Sequence, residues 1–143
     1  MDLSKNKLQL ELHVEDFEPI KKYYIGLGFE IAWERKPTGI KGYLVINMEG
    51  NIICFWGGNK HVFDQPHFAK FPHNTMRGYG VEIIVMVANI ASYYAKVKNI
   101  ANIVEPLTEQ PWGLWDFRTV DPAGYYVRFT SEHNILDSSF AVK

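Results

Sequence analysis

Residues 8–16, LQLELHVED, alternate apolar and polar positions, with Leu8, Leu10, Leu12 and Val14 on one side and Gln9, Glu11 and His13 on the other. That is the pattern of a half-buried strand. Asp16 then offers an N-cap, and Pro19 is tolerable in a first turn. Phe17, Ile20, Tyr24 and Leu27 recur at helical spacing, and Gly26 and Gly28 supply the stop. Residues 81–89, VEIIVMVAN, begin a second round, with Asn89 as cap and Ile90, Tyr93, Tyr94 and Val97 on one helical face. Three strands are expected after each helix: roughly 29–35, 42–48 and 51–57 in the first round, then 102–108, 114–120 and 124–131 in the second. The order βαβββ therefore occurs twice, an internal repeat of about 73 residues carried by the order of elements rather than by residue identity.

Each four-stranded sheet needs one face covered by its own helix, which makes the chain an α+β protein. One domain over 1–143 is expected, with module one at about 6–58, a connector at about 59–78 and module two at about 79–133. The connector holds His61, His67, His73, Pro66 and Pro72, and a short helix is expected near His67–Lys70. Strand alternation lists what points away from the helices. Those residues are Gln9, Glu11 and His13; Ile52, Cys54 and Trp56; Glu82, Ile84 and Met86; and Tyr126, Arg128 and Thr130.

Composition removes several functions. The net charge is −1 with acids and bases interspersed, so no basic stripe invites nucleic acid and no polybasic patch invites a membrane surface. The N-terminus, MDLSKNKLQLEL, builds no apolar signal core, and no stretch approaches the ~18 apolar residues of a membrane span. A single cysteine, Cys54, excludes an intrachain disulfide and a multi-cysteine zinc site. A soluble cytoplasmic protein is expected. Four Trp, eight Tyr and nine Phe exceed what so small a core requires, which turns attention to aromatic ligand walls.

The most specific stretch is EQPWGLWDFRTVDPAGYYVRF, Glu109 to Phe129, a hairpin with a Pro-Trp-Gly turn and an Asp-Pro-Ala-Gly turn. Together with HVEDFEPIKKYYIGLGFE at the front, it resembles the glyoxalase/bleomycin-resistance/dioxygenase group, the vicinal-oxygen-chelate superfamily, and most of all its bleomycin-resistance branch. The resemblance covers nearly the whole chain. It implies two βαβββ modules whose sheets curl into a cup-shaped cleft, a homodimer, and a small-molecule ligand held against Trp112 of the Pro-Trp-Gly loop. In metal-dependent relatives four side chains hold a divalent ion. Carried onto this chain by spacing from Asp16, Asn89 and Asp121, those places fall on Gln9, Cys54, Glu82 and Arg128. A guanidinium has no lone pair to donate, and a thiol suits a soft metal rather than Mg, Mn or Fe.

A metal-independent binder of an aromatic or glycopeptide-type ligand is therefore expected, with no cofactor and no catalytic residue. Trp56, Trp112, Trp115, Tyr126, Glu11 and His13 would line the site, and Glu82 and Arg128 would form a bidentate ion pair at its floor. The alternative is a metal-dependent glyoxalase-like lyase, isomerase or dioxygenase with an altered site built from Glu11, His13 and Glu82. In that altered site's simpler reading, Glu11 and His13 are polar groups in a solvated cleft. A third possibility is a non-catalytic module recruited for protein interaction. Two departures from the drug-binding branch stand out: Tyr125-Tyr126 after Gly124, and a net charge too small to attract cationic drugs strongly.

Overall fold

The computed structural model describes residues 7–36, 38 and 42–139. Residues 1–6, where the N-terminal lead-in begins, lie outside them. The chain divides into two compact units, Met1–Arg77 and Gly78–Lys143. The first contains β1 (Glu11–His13), α1 (Phe17–Gly26), β2 (Glu30–Arg35), β3 (Tyr43–Met48) and β4 (Asn51–Trp56), followed by 3-10 turns at Val62–Asp64 and Phe68–Lys70. The second contains β5 (Ile83–Val87), α2 (Ile90–Val97), β6 (Ile103–Glu109), β7 (Trp115–Val120) and β8 (Tyr126–Ser131). Each unit builds one four-stranded sheet, ordered β1-β4-β3-β2 in the first and β5-β8-β7-β6 in the second. In both, the outermost strand before the helix runs parallel to the last strand of its unit, and the remaining pairs are antiparallel.

Both helices start where a side-chain oxygen satisfies a free backbone N–H. Asp16 Oδ1 accepts from Glu18 N at 3.0 Å, and Asn89 Oδ1 accepts from Ser92 N at 3.1 Å. The apolar face of α1 is the expected one: Phe17, Ile20, Tyr24 and Leu27 are all buried, and the Tyr24 ring lies 5.7 Å from Phe55 of β4. On α2, Ile90 and Val97 are buried. Tyr93 and Tyr94 lay their rings on Phe129 and Phe117 at 5.3 and 4.9 Å. Those two phenylalanines stack on each other at 5.1 Å. Aromatic pairs of this kind add to the area term that holds sheet and helix together.

The first strand is shorter than its alternation predicts. Outside the strand itself, the Leu10 carbonyl accepts from Cys54 N at 3.0 Å and Val14 N–H donates to Trp56 O. Leu8 precedes β1 and is 83% exposed instead of joining the apolar stripe. Among the described residues no helix is long and apolar enough to cross a membrane.

Candidate functional site

Each sheet has one face under its helix and one far face, and register decides which side chains share the far one. In the first unit Glu11, Cys54, Val45 and Trp33 form one cross-strand row, and His13, Trp56, Tyr43 and Arg35 form the next. Trp33 stacks nearly flat on Tyr43, with centroids 5.4 Å apart and an interplanar angle of 17°. The Tyr43 hydroxyl donates to Glu11 and accepts from Gln9 Nε2 at 3.0 Å. Burial, and then the Glu11 hydrogen bond, push the Tyr43 phenol well above its usual range, so it acts only as a hydrogen-bonding group near neutral pH.

His13 is not a solvated polar group. It is 4% exposed because the connector folds over it. Trp56, Phe68 and Phe63 surround the imidazole at 4.6, 5.5 and 6.0 Å. Arg77 Nη1 donates to Nδ1, which leaves Nε2–H to donate to Gly57 O at 2.9 Å. Arg can only donate, so the ring is neutral with its proton on Nε2. Burial holds its pKa below the usual histidine value, against the Gly57 bond that favours the charged form, and Arg77 lowers it further. With both nitrogens engaged, the altered metal set of Glu11, His13 and Glu82 loses its imidazole lone pair. Short apolar and basic groups in a Pro-rich connector show no periodicity, which is why sequence left this cover unseen.

The second unit's far face is ionic. Arg128 of β8 lies opposite Arg118 of β7, and Glu105 of β6 completes the row; Asp116 and Thr130 form the next. The expected bidentate Glu82–Arg128 pair is replaced by another. Arg118 Nε meets Glu82 Oε1 at 2.7 Å, and its Nη1 meets Glu105 Oε2 at 2.6 Å. Arg128 Nε stays 3.8 Å from Glu82 Oε1, and its Nη1 lies 3.7 Å from Asp116 Oδ2. Both distances exceed a hydrogen bond, typically ~2.7–3.2 Å between heavy atoms. Gln110 Nε2 donates to the other Asp116 oxygen at 2.8 Å. The Arg128 guanidinium lies over the Trp112 ring, 5.9 Å from its centroid. Tyr126, beside Arg128 on β8, has its phenol pKa raised, chiefly by burial.

The structure thus brings together Glu82, Arg128, Trp112 and Tyr126 in the second unit, and Glu11, His13 and Trp56 in the first. It does not bring Trp115 to either group. Trp115 alternates with Asp116, so it falls on the side of Phe117 that α2 covers, and it stays 45% exposed. Sequence reasoning missed Arg118, Asp116 and Glu105. The signal was present in WDFRTV, where Asp116 and Arg118 alternate with the buried Phe117.

The places that hold a metal in relatives do not fit one here. Glu82 is committed to Arg118, and the Arg128 guanidinium stands beside it as a fixed positive charge. The Gln9 amide nitrogen donates to Tyr43, and Cys54 is buried. Among the described residues no three His, Cys, Asp or Glu side chains are grouped to hold an ion. A recess of about 210 Å³ opens near the start of α1, lined by Glu15, Asp16 and Glu34 among others. It is smaller than the ~300–1,000 Å³ of ordinary ligand clefts.

No protein-family model matches the sequence, and no curated protein does. Solved structures do match in three dimensions. A bleomycin-binding protein complexed with bleomycin aligns over 90% of this chain and 100% of its own, with a TM-score of 0.61 and 17% identity. A glyoxalase/bleomycin resistance protein/dioxygenase from Alicyclobacillus acidocaldarius aligns over 94% and 96%, with a TM-score of 0.64 and 13% identity. A hypothetical protein from S. aureus aligns over 89% and 94%, with a TM-score of 0.63 and 23% identity. The chain has the vicinal-oxygen-chelate fold.

Proposed function

We propose that this vicinal-oxygen-chelate protein binds a small organic molecule, of aromatic or glycopeptide type, without a metal ion and as a homodimer. One observation carries the proposal. Arg128, at a position that the resemblance marks for a metal ligand, has its guanidinium over the Trp112 ring at 5.9 Å, and Glu82 is held by a second arginine. An indole beside a fixed cation is a recognition surface, suited to planar and hydrogen-bonding groups. It offers no electrophile for lyase, isomerase or dioxygenase chemistry. The structural likeness to a bleomycin-binding protein supports the ligand class.

Tryptophan fluorescence titrated with bleomycin tests the proposal, with Trp112→Phe as the variant that should lose most of the signal. Sedimentation equilibrium tests the dimer. Elemental analysis of protein purified without chelator tests metal independence, and stoichiometric Ni, Zn, Mn or Fe would sink it.

A further inference from the structure

The second unit's far face holds an unmet donor beside an unmet acceptor. Among the described residues, Arg128 Nε and Asp116 Oδ2 are buried with no hydrogen-bond partner. The Asp116 side chain is only 2% exposed, and the nearest opposite charge to its Oδ2, Arg128 Nη1, is 3.7 Å away. The pair is held by charge without being hydrogen-bonded. Buried polar groups of native proteins are rarely left so, and a charged one left unbonded is costlier than a neutral one. Two such atoms, one donor and one acceptor on the two side chains of one loose ion pair, describe the complement of a ligand group.

Charge and geometry narrow that group. Glu82, Glu105 and Asp116 face Arg118 and Arg128 on this surface. Three carboxylates against two guanidinia leave one negative charge in excess. A ligand carboxylate could accept from Arg128 Nε but would crowd Glu82 and Asp116. An ammonium could donate to Asp116 but would face Arg128. A carboxamide presents an N–H and a carbonyl side by side, carries no charge, and is flat enough to lie along the Trp112 ring. The protein already uses this contact once, because the Gln110 carboxamide donates to Asp116 Oδ1 at 2.8 Å.

The Gln110–Leu114 turn carries Trp112. Its base is tied by Gln110 N to Leu114 O at 2.8 Å, and Gly113 takes a φ of 90° that a side chain would strain. Pro111 and Gly113 are exposed. Trp112, partly exposed between them, carries its ring over the Arg128 guanidinium.

We propose that Asp116 and Arg128 recognise a carboxamide of the ligand, its N–H donating to Asp116 Oδ2 and its carbonyl accepting from Arg128 Nε, with Trp112 as the displaced cover. This rests on the small-molecule-binding reading above. The test is a ¹H–¹⁵N titration of the whole protein followed at Arg128 Nε–H, with benzamide, benzoate and benzylamine as probes. Benzamide should move that resonance and saturate, and the two charged probes should not. Asp116→Asn, which turns the acceptor into an amide, should weaken benzamide by about tenfold or more, as loss of a bond to a charged group does. Should Asp116→Asn fail to fold, Arg128→Lys keeps the charge, removes Nε–H and should weaken benzamide similarly, read at the Trp112 indole N–H resonance of both proteins. Benzoate binding as tightly as benzamide, or an Arg128 resonance that benzamide leaves in place, would overturn the carboxamide assignment. Bleomycin quenching of Trp112 alongside a silent benzamide would remove this assignment alone and leave the binder; silence in both would remove both.

Discussion

Arg77→Met probes the cover over His13. The substitution keeps an apolar stem of similar length and removes the guanidinium that donates to Nδ1. A desolvated acceptor losing its donor costs about 1–3 kcal/mol. The guanidinium also lies 5.8 Å from the centre of the Phe63 ring, a contact of about 0.5–1 kcal/mol. Thermal unfolding near pH 7.5 should therefore fall by several degrees, at about 3–4 °C per kcal/mol for a chain of this size. Acid should shrink the difference. Burial first, opposed by the Gly57 bond and aided by Arg77, holds the folded His13 pKa below 6.5, so the unfolded chain takes up the proton first as pH drops. The stability that neutral His13 contributes is complete above about pH 6.5 and is lost as pH falls from there toward the folded value. Glu15 pulls weakly the other way, and His73, stacked on Phe63, and His67, edge-on to Phe68, are the other imidazoles near this cover. Without Arg77 one cause of the depression is gone, so the variant loses less on acidification than the parent does. Urea unfolding of both proteins at pH 7.5 and 5.0 measures this. A penalty below about 0.5 kcal/mol, the scatter of surface substitutions, or a penalty equal at both pH values, would refute the latch.

Gly58→Ala should be severely destabilising, because φ is +64° and the new Cβ would lie 2.2 Å from Val62 Cγ2; a melting curve reads it directly. Asn89→Ala should cost about 1 kcal/mol by removing the α2 cap, visible in denaturant unfolding with an unchanged slope. Arg118→Leu leaves Glu82 and Glu105 facing each other without their shared partner. Its cost in the same assay should fall between the ~1 kcal/mol of exposed pairs and the ~3–5 kcal/mol of buried ones.

What sequence shows and what it hides divide along physical lines. The buried face of α1 and the order of strands follow from period and capping, and they appear in the structure as the letters suggest. Leu8 fails although it keeps the alternation: it lies three positions before β1, and its side chain is exposed. His13 fails for a different reason. Its cover comes from Phe63, Phe68 and Arg77, residues fifty and more positions away in a segment without periodicity. Trp115 fails by one step of parity, since a strand residue belongs to one face only and its neighbour Asp116 takes the other.

The exchange of partners around Glu82 could not be decided by spacing at all. Arg118 and Arg128 lie directly across from one another on β7 and β8, so Glu82, on the loop into β5, has two guanidinia within reach of one carboxylate. A second carboxylate breaks the tie. Glu105 stands on the edge strand β6 beside Arg118 only, so Arg118 can bridge two acids and Arg128 cannot. Bridging draws Arg118 onto Glu82 and leaves Arg128 between Glu82 and Asp116 at distances too long to bond either. The consequence reaches function. Had Arg128 taken Glu82, the second unit's far face would be a closed salt bridge with nothing left to offer. Because an edge-strand glutamate holds the other arginine, Arg128 keeps a hydrogen-bond donor unspent beneath a tryptophan.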